Sequence, residues 1–194
     1  MGRTPDPNRK PELLAQILDH VATEPLSRMT FRSLASALGV STYSFVYHFG
    51  SRREMIDAIL EESVRLQNEV LEGVDVLAFD REQLTAWYKE SFRYSLRDAN
   101  RTGLRLQFEA GALEAVDPDI GKRMTDSFAS WLALLDNWLI DHGVEADRAS
   151  TLANWISDTT LGLHFGYLMT GDRERTIAAF DVFIEAFMRE ALDR

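Results

Sequence analysis

The strongest constraint on the fold is a pair of short helical patterns separated by a Gly-Val-Ser turn at residues 39–41. Thr30 is a favourable N-cap for the first helix, and Ser41 is one for the second, which the pattern predicts from Thr42 to about Phe49. Gly39 tolerates the left-handed conformation that commonly ends a helix. Apolar residues recur at helical spacing on both sides of the turn. The segment therefore predicts a helix-turn-helix.

The remainder of the chain also has helical patterning. Only five prolines occur in 194 residues, and alternating strand patterns are absent. We predict an all-α protein of about nine helices, with an N-terminal three-helix unit in residues 1–53 and a helical domain in residues 54–194. The predicted helices run from about Pro11 to Ala22, Thr30 to Leu38, Thr42 to Phe49, Arg52 to Leu71, Arg81 to Arg97, Thr102 to Val116, Asp117 to His142, Glu145 to Met169 and Arg173 to Leu192.

The charge is distributed unevenly along the chain. The net charge is −10, but residues 1–53 carry seven basic and four acidic side chains, whereas residues 54–194 carry 14 basic and 27 acidic ones. Only the first quarter of the chain can approach a polyanion without electrostatic repulsion. This asymmetry favours nucleic-acid binding by the N-terminal unit.

The second helix of the pair has the surface expected of a helix that enters the DNA major groove. No carboxylate occurs from Thr42 to Arg53, and short hydroxyl and aromatic side chains replace the usual charges. In such motifs the N-terminal residues of the second helix meet base edges and phosphates. The predicted DNA-binding residues are Thr30, Arg32, Ser41, Thr42, Tyr43, Ser44, Tyr47, His48 and Arg52. The candidates for phosphate contact are Arg32, Arg52 and Arg53.

This region resembles the TetR family of bacterial transcriptional regulators. The resemblance covers roughly residues 10–60 and is carried by Thr-Phe-Arg-Ser-Leu-Ala at 30–35, Gly-Val-Ser at 39–41 and Tyr-His-Phe-Gly-Ser-Arg-Arg-Glu-Met at 47–55. Tyr43 stands where the family often has glycine, and Val46 stands where it usually has tyrosine. The resemblance implies an N-terminal DNA-binding domain and a C-terminal ligand-binding and dimerisation domain. It further implies a regulator, expected to be a repressor, that a small, mostly apolar effector releases from a palindromic operator.

The C-terminal domain holds all four tryptophans, and aromatic side chains in a helical bundle line ligand pockets or fill cores. The last two helices carry apolar stripes wider than one core contact needs, which predicts a homodimer formed through them. The predicted pocket residues are Trp87, Phe92, Phe108, Trp131, Leu135, Trp138 and His164. The predicted interface stripes are Leu152, Ile156, Thr159, Leu163, Gly166 and Tyr167 on one helix, and Ile177, Phe180, Phe183, Ile184, Phe187 and Met188 on the other.

Other function classes have weaker support in the sequence. The chain has no cysteine, no metalloprotease or phosphate-loop motif and no nucleophile elbow, so we predict neither an enzyme nor a bound metal or cofactor. The polar N-terminus is not a secretory signal, and no apolar run reaches the length of a membrane span, which predicts a cytoplasmic protein without membrane contact. Two alternatives remain open, a helical protein-interaction adaptor that does not bind DNA and an enzyme with an unrecognised site in the bundle.

Overall fold

The computed structural model describes residues 9–68, 73–117 and 120–193, and within these ranges the chain forms nine α-helices and no β-strand. The predicted all-α class is therefore confirmed. The helices are α1 (Arg9–Val21), α2 (Phe31–Leu38), α3 (Thr42–Phe49), α4 (Arg52–Asn68), α5 (Arg81–Ser95), α6 (Arg101–Val116), α7 (Arg123–Asp141), α8 (Ala146–Thr170) and α9 (Arg173–Leu192). Short 3-10 turns occupy Leu26–Arg28, Val76–Ala78 and Asp98–Asn100.

The N-terminal helices share one hydrophobic core with the start of α4. This core also receives side chains from α6 and α7, so it continues into the second part of the chain. Its buried members are Leu13, Ile17, Val21, Leu26, Met29, Leu34, Phe45, Phe49, Met55, Ile56, Ile59, Leu60, Leu106, Ala110, Ile120 and Met124. The boundary predicted between residues 53 and 54 stays a prediction, and α4 runs across it without a break.

Helices α5, α7, α8 and α9 build a second core around large aromatic side chains. Trp138, Tyr167, Phe180 and Phe187 are among its most deeply buried members. Gly171 ends α8 in the left-handed conformation (φ 70°), so α8 and α9 form a helical hairpin. Three partly exposed ion pairs join α5 to the C-terminal part of the chain. They are Arg93 with Asp181, Lys89 with Glu185 and Arg81 with Asp193.

The predicted start of α7 is wrong, because the helix begins at Arg123 and not at Asp117. Backbone N–H groups in the first turn of α7 donate to a side chain of another helix. The Met124 and Thr125 N–H groups donate to the two carboxylate oxygens of Glu114 in α6, at 2.8 and 3.0 Å. A cap supplied by another helix leaves no local sequence signal, unlike the N-caps of α2 and α3. The predicted N1 residue Pro118 and the predicted end of α4 at Leu71 lie outside the described residues.

The predicted interface stripes belong largely to the core of the single chain. Ile156, Phe180, Ile184 and Phe187 have relative exposures of at most 1%. They are buried because α8 and α9 pack against each other and against α5 and α7. The apolar side chains that these two helices leave exposed are instead Trp155, Phe165, Met169 and Val182.

Candidate nucleic-acid interface and ligand cavity

The helix-turn-helix is defined by caps that the local sequence supplies. Thr30 and Ser33 form a reciprocal capping box at the start of α2, in which the Ser33 N–H donates to Thr30 Oγ1 (3.0 Å) and the Thr30 N–H donates to Ser33 Oγ (2.9 Å). Gly39 ends α2 with φ 64°, a conformation that costs other residues free energy. The Ser41 hydroxyl then accepts from the Ser44 N–H (3.2 Å) and caps α3. These contacts set the angle at which α3 is presented.

The outer face of α3 consists of uncharged hydroxyl, aromatic and aliphatic side chains. Thr42, Tyr43, Val46 and Tyr47 are exposed, and the side chain of Tyr43 is 74% accessible. The centroids of the stacked Tyr43 and Tyr47 rings are 6.3 Å apart, and those of the Tyr47 and His48 rings, in a T-shaped arrangement, are 5.0 Å apart. The opposite face buries Phe45 and Phe49 in the core. The α3 helix is therefore anchored by one face and offers the other to a groove.

Two exposed arginines flank this face. Arg32 in α2 and Arg53 at the start of α4 are exposed and form no ion pair with any residue that the structure describes. No carboxylate occurs in the sequence between Glu24 and Glu54. Lys10 of α1 adds a further positive charge beside Phe49, with Nζ 5.6 Å from the ring centroid. The surface around α3 is thus positive and open to a polyanion.

The remaining predicted contacts differ in how far they face solvent. Thr30 and Ser41 are exposed, but their hydroxyl groups serve as N-caps. Ser44 and His48 are half-buried. Thr42, Tyr43 and Tyr47 thus have the most freely available polar groups on α3, and all of these assignments to DNA contact stay predictions.

The prediction that Arg52 contacts phosphate stays a prediction, and the structure gives this side chain a second role within the protein. The Arg52 guanidinium donates to the backbone carbonyls of Met29 (2.6 Å), Ser27 (3.2 Å) and Leu26 (3.3 Å). These bonds come from Nε and Nη2, so three of the five N–H donors of the guanidinium are directed at the backbone and the two on Nη1 remain for another partner. Its neighbour Arg53 has the exposed and unpaired side chain that the prediction required.

An inner cavity of about 200 Å³ lies among α5, α6, α7, α8 and α9. Five of the predicted pocket residues line it. The predicted set covers only part of the wall, which also includes several hydroxyl groups and one amide. The lining consists of Trp87, Tyr88, Ser91, Phe92, Ser95, Gln107, Phe128, Trp131, Leu135, Ile156, Ser157, Thr160, Leu161, His164 and Phe180.

Phe108 and Trp138 do not line the inner cavity. Successive helical residues point about 100° apart, so Gln107 faces the cavity while the Phe108 ring packs on Phe165 at 5.5 Å. Trp138 is fully buried in the core, where its Nε1–H donates to the Phe79 carbonyl (2.8 Å). The missed residues Ser91 and Ser95 follow Trp87 at intervals of four residues, a helical spacing visible in the sequence.

An outer cavity of about 580 Å³ adjoins the inner one and reaches the N-terminal unit. Both cavities share the wall that includes Trp87, Gln107, Trp131 and His164. The outer cavity also touches α1 and α4. The contributing residues there are Leu18, Asp19 and Ala22 from α1, and Ser63 and Leu66 from α4.

Helix α6 connects this cavity wall to the helix-turn-helix through a pair of side chains, Arg105 and Glu109, which we call the α6 latch. The Arg105 guanidinium donates to the Val21 carbonyl at the end of α1 and pairs with the Glu109 carboxylate. The other oxygen of Glu109 accepts from the Leu26 N–H (2.8 Å). Gln107 lies between the two latch residues and faces the cavity. A displacement of α6 would therefore be felt by α1 and by the turn before α2.

Two further observations concern metals and membranes. Among the described residues there is no group of three or more His, Asp or Glu side chains arranged to hold a metal ion. Within the same ranges no helix is long and apolar enough to cross a membrane.

Comparison of sequences gives one weak relative. No protein-family model matches the chain. The nucleoid occlusion factor SlmA of Marinobacter nauticus is 25% identical over 123 residues, which cover 63% of this chain and 62% of SlmA. The chain thus matches less than two thirds of that relative's length.

Comparison of structures gives close matches over nearly the whole chain. A transcriptional regulator from Rhodococcus sp. Rha1 superposes with a TM-score of 0.79 at 20% identity, covering 93% of this chain and 96% of the other. A TetR-family member from Streptomyces coelicolor A3 gives a TM-score of 0.72 at 18% identity, covering 93% and 98%. A regulator from Saccharomonospora viridis in complex with choline, described as putative, gives 0.73 at 17% identity, covering 93% and 97%. The chain has the fold of the TetR-family regulators, and the resemblance read from residues 10–60 is confirmed at the level of fold.

Proposed function

We propose that the protein is a ligand-responsive, DNA-binding transcriptional regulator, and that it acts as a repressor. The observation that carries this proposal is the surface of α3. Its exposed face is uncharged, is flanked by the unpaired Arg32 and Arg53 and belongs to a stretch of 29 residues without a carboxylate. A helical adaptor has no need to keep carboxylates away from this surface. The acidic remainder of the chain would repel DNA electrostatically, so DNA would bind only at the N-terminal unit.

The proposal includes a homodimer formed through α8 and α9. Phe165 and Met169 on α8 and Val182 on α9 are exposed, with relative accessibilities of 51%, 72% and 73%. Gly162 on α8 has open space where a Cβ would be, which permits close approach of a partner helix. A two-fold dimer would hold two α3 helices about 34–36 Å apart, one turn of DNA, and would require a palindromic operator. Such a regulator would work in the cytoplasm, where the operator lies.

Release from DNA would follow from a population shift. An effector in the cavity binds better to a conformation whose two α3 helices are wrongly spaced for successive major grooves, and DNA affinity falls by the same differential factor. Helix α4 contacts both the N-terminal core and the outer cavity. The α6 latch provides a second connection, because it bonds directly to α1 and to the turn before α2.

Selection of bound sequences from a random duplex pool tests the DNA-binding proposal. Purified protein at moderate salt should enrich an inverted repeat. Replacing Tyr43, the most exposed aromatic side chain on α3, with Ala should change the enriched bases, whereas Val116→Ala, at an exposed position outside α3, should reproduce the wild-type motif. No enrichment, together with duplex binding that does not weaken as salt rises, would remove the regulator proposal and favour the adaptor.

A further inference from the structure

The wall of the inner cavity combines aromatic rings with neutral hydrogen-bonding groups. Trp87 and Trp131 are in contact (ring centroids 5.9 Å apart), and Tyr88 meets the edge of Trp87 at 5.3 Å. Other parts of the wall carry hydroxyl, amide and imidazole groups. These are Ser91, Ser95, Gln107, Ser157, Thr160 and His164.

The cavity wall contains no charged side chain to neutralise an ion. Within the described part of the chain no Asp, Glu, Lys or Arg lines it, and His164 is the one titratable nitrogen base in the wall. Burial lowers the pKa of His164 to about 4 and raises that of the Tyr88 phenol, so both groups are neutral at pH 7. A buried ion without a counter-charge or full hydration is strongly unfavourable. The lining therefore selects against both cations and anions.

The hydrogen bonds around His164 determine which atoms remain available to a ligand. The Ser95 hydroxyl is 2.8 Å from the Phe92 carbonyl, which can only accept, so its single proton is directed there. Ser95 Oγ is also 2.7 Å from His164 Nε2. With the Ser95 proton on the Phe92 carbonyl, we assign Nε2–H as the donor to Ser95 Oγ, and this tautomer leaves Nδ1 as an acceptor. Similarly, Thr160 donates to the Ile156 carbonyl (2.7 Å) and keeps only lone pairs.

The size of the cavity limits the ligand further. An apolar cavity of about 150 Å³ holds one benzene ring, so about 200 Å³ accommodates one or two fused rings. Substituents can extend into the adjoining outer cavity.

We propose that the inner cavity binds an uncharged aromatic molecule of one or two rings that carries an O–H or N–H donor, a ligand of the phenol class. The rings pack against Trp87 and Trp131, and the donor bonds to an acceptor on the His164, Ser95 and Thr160 side of the wall. This assignment rests on the proposed function for its regulatory meaning, because it names the chemical class of the effector. The principal competitor is an organic cation held by the aromatic rings.

Calorimetric titration of the full chain without DNA tests this assignment with four probes of similar shape. 2-Naphthol is neutral and carries a donor, 2-methoxynaphthalene lacks the donor, naphthalene-2-sulfonate is an anion, and N-methylquinolinium is a cation. We expect 2-naphthol to bind about tenfold more tightly than its methyl ether, the worth of one hydrogen bond. The two ions should bind at least about a hundredfold more weakly than 2-naphthol. Equal or tighter binding of either ion overturns the assignment, as does equal binding of the methyl ether.

Replacement of His164 with Leu provides a second test. This variant should lose the preference for 2-naphthol over 2-methoxynaphthalene, whereas His142→Leu, outside the cavity, should retain it. A His164→Leu variant that keeps the preference overturns the role of the imidazole side of the wall. If that variant does not fold, the wild-type probe series decides alone.

These titrations and the duplex selection fail independently. An enriched inverted repeat without naphthol binding would overturn the ligand class and leave the regulator intact. Naphthol binding without salt-sensitive DNA binding would do the reverse.

Discussion

The guanidinium of Arg52 donates to three backbone carbonyls between Leu26 and Met29, whereas the adjacent Arg53 is exposed and unpaired. The two residues have the same chemistry and differ only in direction, because consecutive positions on a helix point about 100° apart. A sequence motif identifies both as basic residues next to α3. Only the packed structure assigns one to the fold and the other to the surface.

Replacing Arg52 with Ala should therefore destabilise the protein. Hydrogen bonds from a charged donor contribute about 1.5–3 kcal/mol, so we expect the free energy of unfolding to fall by about 2 kcal/mol. Urea denaturation measures this change. The salt dependence of DNA binding should be unaffected.

Arg53→Ala is the matched control and should show the opposite pattern. Its stability should stay close to wild type, while the slope of log K against log salt should become shallower by about one phosphate contact. A flattened slope in the Arg52 variant with unchanged stability would instead assign Arg52 to the DNA interface.

His164 should give the protein a specific pH dependence. Its pKa falls from 6.5 to about 4 because burial penalises the charged imidazole. Between these values the unfolded chain binds more protons than the folded one, so the free energy of unfolding falls as pH decreases from about 6.5 to about 4. Above about pH 6.5 the contribution of His164 to the free energy of unfolding is constant. The contribution approaches about 1.4 kcal/mol per pH unit where the difference is one full proton.

Urea midpoints from pH 4.5 to 7.5 measure this effect. His164→Leu should flatten the pH dependence in that window, whereas His142→Leu, at an exposed position, should follow the wild type. Parallel curves for the wild type and the His164 variant would mean that the imidazole is hydrated and titrates normally.

At the level of helices, a helix end can be predicted from sequence when the residues that cap it lie in the same segment. The bounds of α3 were predicted to the residue because Ser41 caps its first turn and Gly50, with φ 71°, ends it. Both signals lie within the segment itself. The start of α7 was mispredicted because its cap is Glu114 of α6, and no local pattern contains that partner.

The same distinction applies to the cavity. The helical spacing of Trp87, Phe92, Trp131 and Leu135 indicated apolar faces, and these residues do line the wall. Periodicity does not distinguish a side chain that lines a cavity from one that fills the core, however, and Trp138 belongs to the core. The bonds of Arg105 and Glu109 to the N-terminal unit were not predicted, because the partners Val21 and Leu26 are more than 80 positions away.

Breaking the α6 latch should separate ligand binding from DNA release. Glu109→Ala removes the acceptor for the Leu26 N–H and the partner of Arg105. We expect this variant to bind DNA and ligand separately, while the ligand lowers DNA affinity at least about fivefold less than in wild type, within the usual range of coupling energies. DNA titrations with and without 2-naphthol, or another ligand found by calorimetry, measure the coupling.

Glu90→Ala is the control for that experiment, because Glu90 is an exposed acidic residue on α5, a neighbouring helix of the cavity wall, and the substitution removes the same charge. It should couple like wild type. If Glu109→Ala also retains full coupling, the signal passes through α4 and the latch is only structural.

At the level of the whole molecule, the proposed regulator requires the acidic C-terminal part to bring two N-terminal units to one duplex, since a single recognition helix reads only one half-site. The exposed apolar side chains of α8 and α9 are the surface on which this depends. Val182 is 73% exposed near the middle of α9. An Asp at this position would bury a charge in the proposed interface, which is strongly unfavourable without a partner. Val182→Asp should therefore be monomeric in sedimentation equilibrium.

The same variant should bind a palindromic duplex at least about tenfold more weakly, because two half-sites are no longer engaged at once. Val116→Asp is the matched control, since Val116 is 78% exposed at the end of α6, outside α8 and α9, and receives the same change in charge. It should remain dimeric and bind DNA like wild type. A dimeric Val182→Asp protein would exclude this face of α9 from the interface. A monomeric one that still binds the full palindrome tightly would mean that the two units assemble on DNA without a preformed dimer.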